Sequence, residues 1–379
     1  MPADDPAATI AGVPILVIKG QFEEFGPGPS GVLRDFEDRE AAWKGMNASL
    51  AAMRAKDERH LIAYLVEPGA SHFAWSERTA PYAARFIRKC AQRRIPDWPV
   101  DAKEPVKCHA VDPATGALTS TRVGREAIAM TAGDFKGDRK QTFWHLDLEL
   151  AKMADALHAE LSGKRPQFVT FADPKSGKPI FAGHDLRLRL KPQWVGPDVF
   201  KVAGVFLEKA PDKYPKVETP VGHAEGAVKF RAYAGTVEQT GPDTFRVRPG
   251  GRGRLHAEIL AFHPGDATYR YAEQQGRVSL PRTLTKGRDQ TITFPPVGAM
   301  QADHPGVKLA ASSSAGLPVQ YYVESGPATV ENDTLKLTSI PRRAKWPLRI
   351  TVVACQYGSA VDPLVKSAEP VKQTIEVRK

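Results

Sequence analysis

The chain has 379 residues, 42% of them hydrophobic and 25% charged, which is the balance of soluble globular material and enough for two or three domains. No apolar run approaches the roughly eighteen residues of a membrane-spanning helix, and the acidic, proline-rich start has no basic stretch ahead of an apolar one, so neither a span nor a signal peptide is expected. The net charge of +10 arises downstream of residue 97, because residues 1–97 hold 13 Lys and Arg against 13 Asp and Glu; no helix-turn-helix, zinc-finger or aromatic RNA-binding motif accompanies it, and nucleic acid is not expected as a partner.

In chain order, Val13–Ile18 and Leu61–Val66 are nearly continuous apolar runs, the pattern of strands covered on both faces. Between them Trp43, Met46, Leu50 and Met53 fall at helical spacing, with Asp38 placed to cap. The unit is strand, helix, strand. Each strand runs into a loop with ionisable groups, Glu23 and Glu24 after the first and His72 after the second, at the end of a parallel sheet where ligands collect. A second helix is expected over Glu77–Arg94, with Pro81 in its first turn and Ala83, Phe86, Ile87, Cys90 and Ala91 forming one apolar stripe.

This arrangement resembles the last third of an α/β-hydrolase. Pro14, Leu16 and Gly20 match the family's late strand, which implies Glu23 as the acid of the triad, with Glu24 the weaker alternative. Gly69, His72 and Phe73 match its histidine loop. The resemblance implies that Glu23 fixes the tautomer of His72, which then takes a proton from a serine during hydrolysis of an ester of a small molecule or polymer. No metal and no organic cofactor is implied. The family's GxSxG nucleophile elbow is not in this sequence: Ser30 lies among prolines and Ser71 beside His72, and only 22 residues precede Glu23. The expectation is therefore a fragment without serine-hydrolase turnover of its own, arising from a truncated, split or degenerate gene, of which truncation is the preferred reading.

From about Ile95 the text becomes a proline-rich linker and a domain boundary is expected near residue 97. Asp-Pro-Ala-Thr-Gly at 112–116 is turn chemistry between extended pieces. A helix is expected over Phe143–Leu161, with an apolar seam of Leu146, Leu150, Met153, Leu157 and Leu161; His145 and His158 beside it lack the spacing of metal ligands. Cys90, Cys108 and Cys355 make neither a metal motif nor a disulfide framework, and a Cys90–Cys108 bridge has no support beyond proximity in sequence.

Beyond Gly163 alternating segments separated by Gly, Pro, Asp and Asn imply β-sandwiches. His263 with Asp266, and His184 with Asp185, read as turn residues. From about Asp289 the order QTITF, SSAGLPV, SGPATV and QTIEV resembles a bacterial Ig-like repeat of secreted and cell-surface proteins, which implies an extracytoplasmic location. Trp194 and Trp346 are the candidates for stacking on a carbohydrate.

The expected architecture is multidomain: a partial α/β unit over 1–97, a mixed region with one helix and a β-sandwich over 98–285, and an Ig-like sandwich over 286–379. The alternative function is a non-catalytic cell-surface or carbohydrate-binding β-sandwich protein that retains a relic hydrolase segment.

Overall fold

The computed structural model describes residues 10–20, 49–70, 76–97, 105–123, 127–161, 163–180, 187–210, 220–248, 250, 256–340 and 344–379. Strands β1 (Pro14–Gly20) and β2 (Leu61–Glu67) pair in parallel, from Pro14 against Leu61 to Gly20 against Glu67. The uninterrupted apolar sequence of β2 has the expected consequence. Leu61, Ala63 and Leu65 face one core, while Ile62, Tyr64 and Val66 face another with Leu50, Met53 and Phe143.

Helix α1 (Ala80–Arg94) starts with Pro81 in its first turn, where a missing N–H is tolerated. Its buried face differs from the expected stripe: Tyr82 and Phe86 are buried and Cys90 packs beside them, whereas Ile87 is 67% exposed. Tyr82 turns the helix inward because its hydroxyl has a buried partner in His145, 2.6 Å away.

The packing does not change at residue 97. Strands β3 (Ala117–Ser120), β4 (Met130–Thr131) and β5 (Thr142–His145) form a small antiparallel sheet, followed by helix α2 (Leu148–His158). Val111, Leu118, Trp144, Leu146, Leu150 and Ala154 share one core with Leu61, Ala63, Leu65, Tyr82 and Phe86. The chain on either side of the proline-rich stretch belongs to this unit, and beyond it the Val111 N–H donates to the Gly12 carbonyl at 2.9 Å. The helix expected from Phe143 begins five residues later. Thr142–His145 suits a strand, being β-branched and aromatic, and the Asp147 side chain caps α2 by accepting from the Leu150 N–H at 3.0 Å.

The middle unit is a β-sandwich. Its strands are β6 (Val169–Ala172), β7 (Arg187–Leu190), β8 (Gln193–Trp194), β9 (Val199–Lys201), β10 (Ala203–Phe206), β11 (Lys229–Gly235), β12 (Val237–Gln239), β13 (Thr244–Val247), β14 (His256–His263) and β15 (Ala272–Ser279). Two four-stranded sheets, in the orders β11-β14-β15-β7 and β12-β13-β9-β8, enclose Leu188, Phe200, Phe245, Ile259 and Val278.

The last unit is a second sandwich, with strands β16 (Ile292–Thr293), β17 (Met300–Gln301), β18 (Val307–Lys308), β19 (Ser312–Ser313), β20 (Gln320–Ser325), β21 (Ala328–Glu331), β22 (Thr334–Leu337), β23 (Leu348–Cys355) and β24 (Val371–Arg378). A four-stranded sheet, β17-β24-β23-β20, and a three-stranded one, β18-β22-β21, close on Ile350, Val352 and Ala354, with Leu348 half-buried against the same core. Tyr357 crosses from this unit into the middle core, where its hydroxyl donates to the Pro281 carbonyl at 2.8 Å. Gln320 adds a side-chain contact to Asp198 at 2.9 Å.

The described chain is therefore mostly β-strand in several sheets, with a small α/β unit ahead of two sandwiches.

Candidate functional site

Glu23, Glu24 and His72 lie outside the described residues, as do His184 and Asp185. The strands that lead to the first three are described. Gly20 and Glu67 are register partners, so the segments carrying Glu23 and His72 leave the parallel pair from adjacent strands at the same level.

The carboxyl end of β2 is closed. Glu67, its last residue, is 2% exposed. The Ser76 hydroxyl donates to its carboxyl, while Oε1 has no hydrogen-bond donor among the described residues. Burial drives its pKa upward, against the opposing pull of the Ser76 hydrogen bond and of Arg78 and Arg231. Arg78 ties the stretch together: Nη1 donates to the Pro68 carbonyl at 2.7 Å, Nη2 pairs with Glu160, and Nη1 lies 3.7 Å from Glu67 Oε1.

The middle sandwich supplies the cover. The Arg78 guanidinium sits 4.3 Å from the Tyr271 ring centroid, and Arg231 on β11 pairs with Glu77 at 2.8 Å. Gly69, at φ +74°, passes so close to the Tyr271 carbonyl that a Cβ there would lie 2.2 Å from the oxygen. Only glycine fits both that backbone and that gap.

Behind this surface the two histidines beside α2 are buried and bonded. His158 Nε2 accepts from the Val66 N–H at 3.0 Å, which fixes the last turn of α2 to the end of β2. His145 lies between two hydroxyls, Tyr82 at 2.6 Å from Nδ1 and Thr119 at 2.9 Å from Nε2. A neutral imidazole satisfies both, one nitrogen donating and the other accepting. Burial lowers the pKa of each histidine to about 3, with the His158 charge a secondary cause at His145. Neither ring has the exposure of a general base at neutral pH.

The other singled-out residues fall into packing or turns. His263 Nε2 lies 3.1 Å from the Glu225 carbonyl, and Asp266 accepts the Thr268 and Tyr269 N–H groups at 2.7 Å. Trp194 packs against Phe200 and Tyr357, and Trp346 against the last core, so both candidate stacking platforms are half-buried in cores. Cys90, Cys108 and Cys355 are free thiols. Among the described residues no group of His, Cys, Asp and Glu could hold a metal ion, and no helix is long and apolar enough to cross a membrane.

The sequence reading missed Glu67, Arg78 and Tyr271. A glutamate ending a fully apolar strand, with an arginine eleven residues later, was the available signal for the first two. Nothing local marks Tyr271 as their cover.

No family model matches the chain, and no curated protein matches it. Among solved structures it is similar to human protocadherin-24 EC1-2, at 14% identity and a TM-score of 0.20 over 40% of this chain and 82% of that one. It is also similar to mouse cadherin-23 EC22-24, at 13% identity and a TM-score of 0.17 over 56% of this chain and 65% of that one.

Proposed function

We propose that this chain is a non-catalytic, β-sandwich-rich binding and presentation protein that works outside the cytoplasm, with its α/β unit serving as a platform for the first sandwich. The observation that carries the reading is the buried carboxyl end of β2, where Glu67 is 2% exposed and Arg78, paired with Glu160, lies over the Tyr271 ring of the middle sandwich. The Ig-like sequence pattern of the last unit supports an extracytoplasmic, cell-surface role. Its contacts are with other surface macromolecules by way of the strand faces, since Trp194 and Trp346 are half-buried against cores.

A second reading, favoured by the shared level of Gly20 and Glu67, is that Glu23 and His72 are the acid and base of an ester hydrolase whose serine is supplied by another segment. One assay separates the two. Purified chain is expected to show no p-nitrophenyl ester turnover and no labelling by a fluorophosphonate. Steady turnover abolished by that label would overturn the first reading. Cell fractionation tests the location, and recovery of the chain only with cytoplasmic markers would sink it.

A further inference from the structure

We propose that the contact between the α/β unit and the middle sandwich is a protonation-dependent latch centred on Glu67, closed when its carboxyl group is neutral and released when it ionises. Among the described residues two cations face the contact: Arg78, eleven residues past the end of β2, and Arg231, on β11. Both are engaged by other carboxylates, Arg78 by Glu160 and Arg231 by Glu77. Glu273 adds a further acid from β15, accepting from the Tyr271 hydroxyl at 2.9 Å. From α2, His158 presents Nε2 to the Val66 N–H and is held neutral by burial. Ser76 contributes one uncharged donor.

An ionised Glu67 would place its charge at a position 2% exposed, where among the described residues Oε1 has no hydrogen-bond donor and the Arg78 guanidinium lies 3.7 Å away and is shared with Glu160. Burial strips a carboxylate of hydration that the Ser76 hydrogen bond replaces only in part. The neutral acid avoids that cost at no change in shape. Parting the two units, by contrast, returns Glu67 to water.

The direction of the pH effect follows. Burial raises the carboxyl pKa in the docked form, so the docked form holds a proton that the separated form has lost. Docking is favoured at low pH and weakens as pH rises from about 4.3, where a solvated glutamate ionises, to the raised docked value. Within that window the docking constant falls by about tenfold per pH unit, the limit for one linked proton.

The test is hydrogen–deuterium exchange of the full chain between pH 4.5 and 8.5, each rate divided by its intrinsic value. Peptides covering 61–70 and 258–275 report the contact, and β23 is the internal reference. The latch predicts that protection of the first two falls with rising pH while β23 stays constant, and that Glu67→Gln, the neutral isostere, stays docked throughout. Small-angle scattering on the unmodified chain should show its radius of gyration growing over the same window. Three results would overturn the proposal: protection and radius of the unmodified chain independent of pH, a Glu67→Gln chain with unchanged pH dependence, or a Glu67→Gln chain that does not dock at any pH.

Discussion

The Tyr82 hydroxyl lies 2.6 Å from Nδ1 of His145, in a site where both side chains are buried and where α1 meets β5. This bond joins the part of the chain before residue 97 to the part beyond it. Removing the hydroxyl leaves a buried imidazole nitrogen without its partner, which costs about 1–3 kcal/mol. We expect Tyr82→Phe to be destabilised by that amount in urea unfolding although its ring still fills the core. A change below about 0.5 kcal/mol would mean that the pair contributes only shape.

The same histidines set an acid limit. His145 and His158 have folded pKa values near 3 against 6.5 for the free side chain, so below pH 6.5 the unfolded chain takes up protons that the native chain refuses. Stability is therefore fully present above pH 6.5 and is lost as pH falls through the window down to about 3. Each imidazole contributes about 1.4 kcal/mol per pH unit there, so that pH 5 removes roughly 2 kcal/mol apiece relative to pH 7.5. His158→Gln keeps an acceptor for the Val66 N–H and should reduce this slope by about half in urea unfolding at the two pH values. An unaltered slope in the variant would exclude His158 as a source.

How much of this was legible in the sequence depends on how local the cause is. β2 was readable because a strand covered on both faces must be apolar at consecutive positions, and β2 is; β1 has the same apolar run but is only partly covered, with Ile18 39% exposed. The middle and last sandwiches were readable from alternation, as at Ile350, Val352 and Ala354. β15 was not, because AEQQGRVS carries two glutamines and a glycine; Gln275 is buried all the same, and a Cβ at Gly276 would meet Leu190 and Phe171 at 2.6 and 2.7 Å. The buried face of α1 depended on a distant histidine, and the closed end of β2 on a tyrosine about two hundred positions away. Both are tertiary facts without a local signature.

The boundary of the first unit can be tested by truncation. A chain ending at residue 97 lacks Val111, Leu118, Trp144 and Leu150, the far half of the core that covers Leu61, Leu65 and Phe86. A chain ending at residue 163 keeps them. We expect the shorter piece to be unfolded by circular dichroism and the longer one to unfold cooperatively. A cooperative transition in the shorter piece would put the boundary back at 97.

Gly69 and Gly163 have almost the same backbone, φ +74° and +75°, in different surroundings. A Cβ at Gly163 meets nothing within 4 Å, whereas one at Gly69 would strike the Tyr271 carbonyl at 2.2 Å. Gly163→Ala should lose only the left-handed penalty of about 1–2 kcal/mol. Gly69→Ala should lose that and the contact between units, giving the lower melting temperature and faster exchange in 258–275. Equal melting temperatures for the two variants would show that the Tyr271 contact is not maintained in solution.

The hairpin between β21 and β22 turns on Asn332 and Asp333, with φ of 47° and 72°, while Glu331 and Thr334 pair across it. Two consecutive left-handed residues are the requirement of the tight turn that matches strand twist, and Asn-Gly satisfies it best. Asp333→Gly should therefore stabilise the last sandwich by about 0.5–1 kcal/mol, since the left-handed strain at Asp333 is removed. Little is given up in exchange: the Asp333 carboxylate accepts a long hydrogen bond from the Thr334 hydroxyl at 3.4 Å and lies 3.8 Å from Nζ of Lys308, whose side chain is 78% exposed. Asn332→Val, which places a β-branched residue where φ is positive, should act oppositely and lower stability by about 1–2 kcal/mol. Urea unfolding monitored on the last sandwich checks both. A loss of stability in Asp333→Gly would mean that the carboxylate holds the turn more strongly than its exposed contacts imply.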